Sequence, residues 1–329
     1  MSSSGKKRRH TKPVTVSTQP APSSTISRHL QQRCLDVFKD ALWTSSEDLS
    51  TVQEVKGHLY NRDFAQAFSR PDYLRAYALR WSASRALGYA AIFEDIEQCL
   101  TDKADMRVLC LGGGAGAEVV GLAARSARGN ASAVTIHAVD IADWKDVLDR
   151  LHSSITETPK LSQYASAAAQ AKNKSMLTRD AFIMSFTQAD VLQWDAATIE
   201  RACSDTGLIT VMFTLNELYA SSISKTQQLL ATITAVAEDG TLLLVVDSPG
   251  SYSTVSINGA EKRYPMHWLL DLTLLGPDRD DDNTQWTKLV SEESKWFRLP
   301  EYLQYPVELE NMRYQIHLYR RRRKMLRDA

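Results

Sequence analysis

The stretch VLCLGGGAGAEVV, Val108–Val120, decides how the rest of the chain is read. A short apolar run ends in three consecutive glycines, a fourth follows two residues later, and an acid, Glu118, comes next. Glycine loses more conformational freedom on folding than any other residue, so a core segment this rich in it marks a backbone that something approaches closely. A Gly-rich turn joining a strand to a helix sets backbone N–H groups and a helix N-terminus beside a ligand. Gly112, Gly113, Gly114 and Gly116 read as that turn and AEVVGLAA as that helix. The competing reading is a tight turn that only lets helix and strand pack.

Beyond the glycines, short β-rich runs alternate with longer helix-compatible ones. RVLCLG, AVTIHAVD, AFIMSFTQAD, LITVMFT, TLLLVVDSP and RYQIHLYRR are the strand candidates, and GAEVVGLAARSA, WKDVLDRLHSSI and SKTQQLLATITAVAEDG lie among them. This alternation predicts βαβ units, right-handed crossovers and a doubly wound, mostly parallel α/β sheet. The last run, PVELENMRYQIHLYRR (Pro306–Arg321), reads as a closing β-hairpin. No internal repeat interrupts the pattern.

Before the sheet the grammar differs. Residues 1–27 are Ser, Thr, Pro and Lys with hardly a large apolar side chain, the composition of a disordered tail. From Arg28, Leu30, Cys34, Leu35, Phe38 and Leu42 recur at helical spacing. Arg70–Ile96 then forms a long helical stretch, with Pro71 suited to its first turn. The expected organisation is a basic tail (1–27), a helical N-terminal region (28–104), an α/β domain (105–319) and a basic C-terminal tail (320–329).

Composition narrows the class. The 329 residues carry 39 basic and 39 acidic side chains, so the chain is formally neutral, but the charge is clustered. GKKRRHTK (Gly5–Lys12) and RRRRK (Arg320–Lys324) are basic, and DRDDD (Asp278–Asp282) is acidic. Two basic clusters in a balanced chain favour a polyanionic partner or nuclear address over solvated tails. The four cysteines are widely spaced, without CxxC or paired-His spacing, which predicts no metal site, no disulfide framework and a reducing, intracellular setting. No apolar run reaches membrane-spanning length, so no membrane association is expected.

Several polar residues fall at predicted strand ends. TIHAVD ends on Asp140, where this topology places an acid against ribose hydroxyls. The glycines satisfy two cofactor patterns: Gly112-x-Gly114-x-x-Ala117 fits dinucleotides, and Gly112-x-Gly114-x-Gly116 is typical of S-adenosylmethionine enzymes. The third strand leads to Asp190, followed by apolar Val191 and Leu192, and class I methyltransferases use an acid there for the adenine amino group. No second glycine fingerprint is present downstream, so S-adenosylmethionine is favoured. Leu111, Ile141, Val191 and Asn216 complete the expected cofactor set. LITVMFTLNELYA runs into Asn216 and Glu217, either helix-capping residues or groups facing the transferred methyl, and Asp247 ends the fifth strand on the same rim.

VLCLGGGAGAEVVGLAA, FTQADVLQWD, FTLNELYA and YALRWSASRALGY together resemble the fungal enzymes that methylate N3 of a uridine in large-subunit (25S) ribosomal RNA. The resemblance spans roughly Asp63 to Tyr319, with RWSASRAL and TLNELY its most particular segments. It implies a class I methyltransferase (Rossmann-like) fold, S-adenosylmethionine as donor, large-subunit rRNA or a pre-ribosomal particle as partner, and a nucleolar setting. Glu217 is then the first candidate to take the N3 proton and Asp247 the second, with Asn216 holding the uracil edge. Arg80, Trp81 and Arg85 are expected at the substrate, through phosphate contact or stacking; the plainer alternative is a helix packing Trp81 and Leu87 on the sheet with wet arginines. YPMHW (Tyr264–Trp268) is given no catalytic role. The rival functions are a methyltransferase for another RNA position or a non-RNA substrate, a nicotinamide-dependent oxidoreductase, and a non-catalytic RNA-binding module.

Overall fold

The computed structural model describes residues 26–100, 105–129, 133–161, 164–250, 252–257, 260–276 and 284–322. Residues 1–25, the acidic run Asp278–Asp282 and the chain beyond Arg322 lie outside them, and so do the expectations for the N-terminal tail and for most of the C-terminal one.

The N-terminal helices are α1 (Arg28–Leu42), α2 (Asp48–Tyr60), the single turn α3 (Phe64–Ala67), α4 (Pro71–Tyr77) and α5 (Ala83–Asp95). Ser27 caps α1, its Oγ accepting from the Leu30 N–H, and Cys34, Leu35, Phe38 and Leu42 are buried as the periodicity predicts. Pro71 occupies the first turn of α4, where a missing N–H costs nothing. The long stretch Arg70–Ile96 is not one uniform helix, because a π-helical turn at Ala78–Ser82 joins α4 to α5.

The main sheet comes next in the chain, with strands β1 (Met106–Leu111), β2 (Val134–Asp140), β3 (Phe182–Gln188), β4 (Leu208–Met212) and β5 (Leu242–Asp247). Their helices are α6 (Ala117–Ser126), α7 (Lys145–Thr156), the short α8 (Ala167–Lys172), α9 (Ala196–Cys203), α10 (Leu215–Ser221) and α11 (Ile223–Val236). A small antiparallel hairpin, β6 (Tyr252–Ile257) and β7 (Ala260–Pro265), leads into α12 (Met266–Leu275), and β8 (Trp286–Phe297) and β9 (Met312–Arg321) close the chain.

The strand order of the main sheet is β3-β2-β1-β4-β5-β9-β8. The first five strands are parallel, while β9 runs antiparallel to both β5 and β8. Strands β4 and β5 are buried along their whole length, as their unbroken apolar runs require under helices on both faces. One core layer joins α1, α5, α6 and α7 to one face of the sheet, and a second joins α9, α11 and α12 to the other. Helices α1 and α5 thus share the sheet's own core, α2 packs with α4 in a small separate cluster, and the expected doubly wound α/β fold with a helical extension is present.

Two expectations at the C-terminus are corrected. The first arm of the closing hairpin is β8, well upstream of Pro306; the residues from Pro306 to Asn311 are a connection, tied by Glu308 and Glu310 to Arg80. Arg320 and Arg321, counted both in the strand candidate RYQIHLYRR and in the tail, belong to β9, where Arg320 pairs with Leu242 and Arg321 donates to the Thr234 carbonyl.

Candidate active site

Ligands of open α/β sheets bind at the carboxyl ends of the strands where strand order reverses. Here that point lies between β1 and β4, and a cavity of about 560 Å³ opens there, roofed by the N-terminal helices. The glycine turn forms part of its floor. Gly112 (φ +79°) and Gly116 (φ +81°) adopt backbone angles that favour glycine. A Cβ on Gly112 would come within 2.2 Å of Thr214 Oγ1, and one on Gly114 within 2.0 Å of Trp144 Cδ1 and 2.6 Å of Asp140 Cβ. What crowds these glycines is the protein's own Thr214, Trp144 and Asp140.

Asp140, at the end of β2, is anchored by the turn it faces. Its Oδ2 accepts from the Gly114 N–H at 3.1 Å and its Oδ1 from the Ala142 N–H at 3.1 Å. Burial pushes its carboxyl up, and these N–H bonds oppose that. Next to it Ile141 is 68% exposed on the cavity rim. Asp190 caps the short 3-10 turn Val191–Gln193, accepting from the Leu192 N–H at 2.9 Å. Asp190, Val191 and Leu192 line the cavity beside Asp140 and Ile141. Leu111, Gly113, Gly114 and Gly116 shape the turn without lining the cavity, whereas Gly112 lines it.

The opposite side is built from β4, β5 and the α4–α5 junction. Asp247 accepts from the Asn216 N–H (Oδ2, 3.0 Å) and the Ser248 N–H (Oδ1, 2.7 Å), the first of which is one of the unpaired N–H groups in the first turn of α10. Burial pushes Asp247 up to about 6 despite these bonds, with the charge of Glu217 adding to the rise. Asn216 and Glu217 both line the cavity, and Glu217 is exposed at its mouth. Asn216 is therefore a capped residue and Asp247 its cap, the reverse of the structural reading open in the sequence.

The three residues expected at the substrate separate. Trp81 and Arg85 line the cavity, Trp81 stacked on Tyr77 with centroids 5.2 Å apart. Arg80 points elsewhere: it is 4% exposed and bonded to Glu310 at 2.6 Å, so its expected place at the substrate is corrected. Helical spacing accounts for the split, since Trp81 and Arg85 are four residues apart on one face and Arg80 points to another; the π turn that carries Arg80 and Trp81 is of a kind that recurs at functional sites.

Among the described residues, Arg85 is the one basic side chain lining the cavity. It donates to Tyr77 Oη at 2.8 Å, and its Cζ lies 4.7 Å from the centroid of the Phe213 ring. Phe213 was not singled out by its sequence context. Its φ of +55° is an outlier for a bulky residue, held by an N–H bond to the Val246 carbonyl. Strain of this kind costs about 1–3 kcal/mol and concentrates at active sites. Glu118, noticed after the glycines but given no role, is buried, and Thr210 Oγ1 donates to its Oε1 at 3.0 Å.

A parallel sheet in this order, with a glycine turn after β1, acids after β2 and β3 and a polar rim after β4 and β5, defines a class I methyltransferase. The family described as "SAM-dependent methyltransferase" matches residues 36–320. The 25S rRNA (uridine(2843)-N(3))-methyltransferase of Saccharomyces cerevisiae is 33% identical over an alignment of 324 positions that covers 88% of this chain and 85% of that one. The chain belongs to this family of S-adenosylmethionine-dependent methyltransferases. Among solved structures, a SAM-dependent methyltransferase of Methanosarcina mazei is 10% identical with a TM-score of 0.39, covering 69% of this chain and 97% of that one. An O-methyltransferase family 2 protein of Planctomyces limnophilus is 14% identical with a TM-score of 0.41, covering 77% and 62%. Such distant overlaps add nothing to the topology described above.

Proposed function

We propose that this enzyme methylates N3 of a uridine in large-subunit ribosomal RNA, in the nucleolus, during ribosome assembly. The observation that carries the reading is the 33% identity, over 88% of the chain, to the yeast enzyme of that name. The basic run Gly5–Lys12 fits both a nuclear address and a polyanionic substrate.

The residues fit the donor. When bound, S-adenosylmethionine supplies an electrophilic methyl group. Asp140 would accept from its ribose hydroxyls and Asp190 from its adenine amino group, with Ile141 and Val191 as apolar walls for the ring and the Gly112 turn beside the remainder. The exposed Ile141 is then an apolar surface waiting for a ligand.

On the far side the chemistry is proton removal. N3 lies on the Watson–Crick edge of uracil, so the target nucleotide must be unpaired or extruded before it enters the cavity. As its N3 proton leaves, negative charge spreads to the flanking carbonyl oxygens. Arg85 has donors left after its bond to Tyr77 and sits where it can meet that charge, a preorganised form of stabilisation. Phe213 offers the base a flat apolar surface. Asp247 is buried and holds the start of α10 through the Asn216 N–H, whereas Glu217 is exposed at the mouth, so Glu217 is the better proton acceptor and Asp247 a positioning residue. Asn216 presents an amide able to donate and accept at the uracil edge.

The acceptor class is tested by offering methyl-labelled S-adenosylmethionine with unmodified large-subunit rRNA, small-subunit rRNA, or RNA-free cell extract. Label in the large-subunit rRNA, lost in Glu217→Gln and in Arg85→Ala, is expected. Label confined to the RNA-free extract would make this a methyltransferase for another substrate.

A further inference from the structure

Outside the cavity, one surface cluster is left unexplained by the fold. Trp296, near the end of β8, is 48% exposed. Two arginine side chains flank its ring: Arg298 Cζ is 4.9 Å and Arg313 Cζ 5.7 Å from the ring centroid. The next residue, Phe297, packs against the core from the opposite face of the strand, so Trp296 is not needed to complete that layer. Arg313 donates to Ser294 Oγ at 3.0 Å, and among the described residues neither arginine forms an ion pair with a carboxylate. Exposed Arg–Trp contacts hold little stability, about 0.5–1 kcal/mol each. The fold gains little from keeping this ring in water.

The register says where the cluster sits. Asp247, at the cavity, pairs with Gln315 on β9, and Arg313 lies two residues further along the same face. Trp296 pairs with Arg313 across β8. Two residues along a strand and two strands across amount to roughly 12 Å, so the cluster lies at the cavity end of the sheet, on the face that carries Asp247.

We infer that Trp296, Arg298 and Arg313 form a stacking site for a single-stranded segment of the RNA next to the target nucleotide; this rests on the reading of the substrate as RNA. An aromatic platform takes any base by its π-face, and flanking guanidinium groups neutralise the adjoining phosphates, the combination that single-stranded nucleic acid binding uses. The segment occupying it would be held while its neighbour enters the cavity. Charge selects this occupant: the cluster offers two cations without a carboxylate partner among the described residues, and one flat ring.

The test compares wild type, Trp296→Ala, Trp296→Phe, Arg298→Ala/Arg313→Ala and, as a control on α12, Trp268→Ala. Trp268 is 54% exposed and, among the described residues, has no arginine over its ring. Each is titrated with a fluorescein-labelled oligouridylate and assayed for methyl transfer to unmodified large-subunit rRNA. Trp296→Ala should weaken oligouridylate binding about tenfold and raise KM for rRNA with kcat and S-adenosylmethionine affinity unchanged. Trp296→Phe should recover much of the loss, and Trp268→Ala should match wild type. The double arginine variant should flatten the salt dependence of binding by about one unit of slope per lost phosphate contact. If wild type binds and methylates the rRNA and the Trp296 and arginine variants do so equally well, the inference is overturned while the substrate reading stands. A Trp296→Ala change that alters only the oligomeric state would likewise overturn it, in favour of a second copy of the chain. A wild type that neither binds nor methylates RNA would overturn both readings together.

Discussion

Glu118 shows how a single residue can be structurally costly and still kept. It lies in the first turn of α6 beneath the glycine turn, and burial pushes its carboxyl up to about 8, with the Thr210 hydroxyl bond acting against that rise. An acid whose pKa is raised on folding binds its proton more tightly in the folded state. Its contribution to stability is therefore complete below the unfolded value near 4.5 and declines as pH rises through about 8. Glutamine reproduces the neutral form at every pH. Glu118→Gln should stay within about 1 kcal/mol of wild type at pH 5 and exceed it at pH 9, by up to about 5 kcal/mol before relaxation of the site is allowed for. Unfolding curves at the two pH values check this; an equal difference at both would mean the carboxylate is not carrying that cost. Phe213 belongs to the same scale. It holds a strained backbone angle and places its ring beside Arg85, and both result from the tight turn between β4 and α10.

At the scale of elements, the α4–π–α5 junction and the connection between β8 and β9 act as a pair. Tyr305 Oη donates to the Leu79 carbonyl at 2.8 Å, Gln304 exchanges two hydrogen bonds with Gln32 on α1, and Glu310 holds Arg80. The connection thus ties the roof of the cavity to the sheet. Arg80→Ala should lower stability by about 1–3 kcal/mol through the lost buried charge-assisted bonds, and leave S-adenosylmethionine affinity and KM for RNA within about twofold. Arg85→Ala should do the opposite, lowering kcat on the order of a hundredfold with little change in stability. Calorimetric unfolding and steady-state kinetics on both variants separate them; a large KM effect from Arg80→Ala would return that residue to the substrate.

The central strands were legible in the sequence because β4, β5 and, from Val108 on, β1 are buried on both faces and read as near-continuous apolar runs. Strand β8 was not. It is half exposed, and its register shifts twice, between Lys288 and Val290 and between Glu292 and Lys295, so no alternation of period two survives along it. The next β-compatible residues, after Pro306, then resemble the first arm of the hairpin. The π turn is invisible for a related reason, since Ala78–Ser82 has good helix formers whichever way it winds. In the site, Gly112, Asp140 and Asp190 were legible because each is set by its place at a strand end. The partners Arg85–Phe213 and Arg80–Glu310 are 128 and 230 positions apart, and the identity of a residue says nothing of such contacts.

For the molecule as a whole, the sheet divides the work. On the proposed function, the acids after β2 and β3 would face the donor and the polar rim after β4 and β5 the acceptor, while residues of the N-terminal helices line the same cavity. The chain is formally neutral and, among the described residues, a single arginine lines the cavity, so on the proposed function affinity for RNA would come from local clusters and not from a general positive field. The most direct test of the account is the identity of the methylated nucleoside. Large-subunit rRNA lacking the modification is incubated with the enzyme and methyl-labelled S-adenosylmethionine, digested to nucleosides and separated by chromatography with mass detection. The label is expected to migrate with 3-methyluridine. Label in another base or on a ribose, from an enzyme that binds S-adenosylmethionine normally, would contradict it.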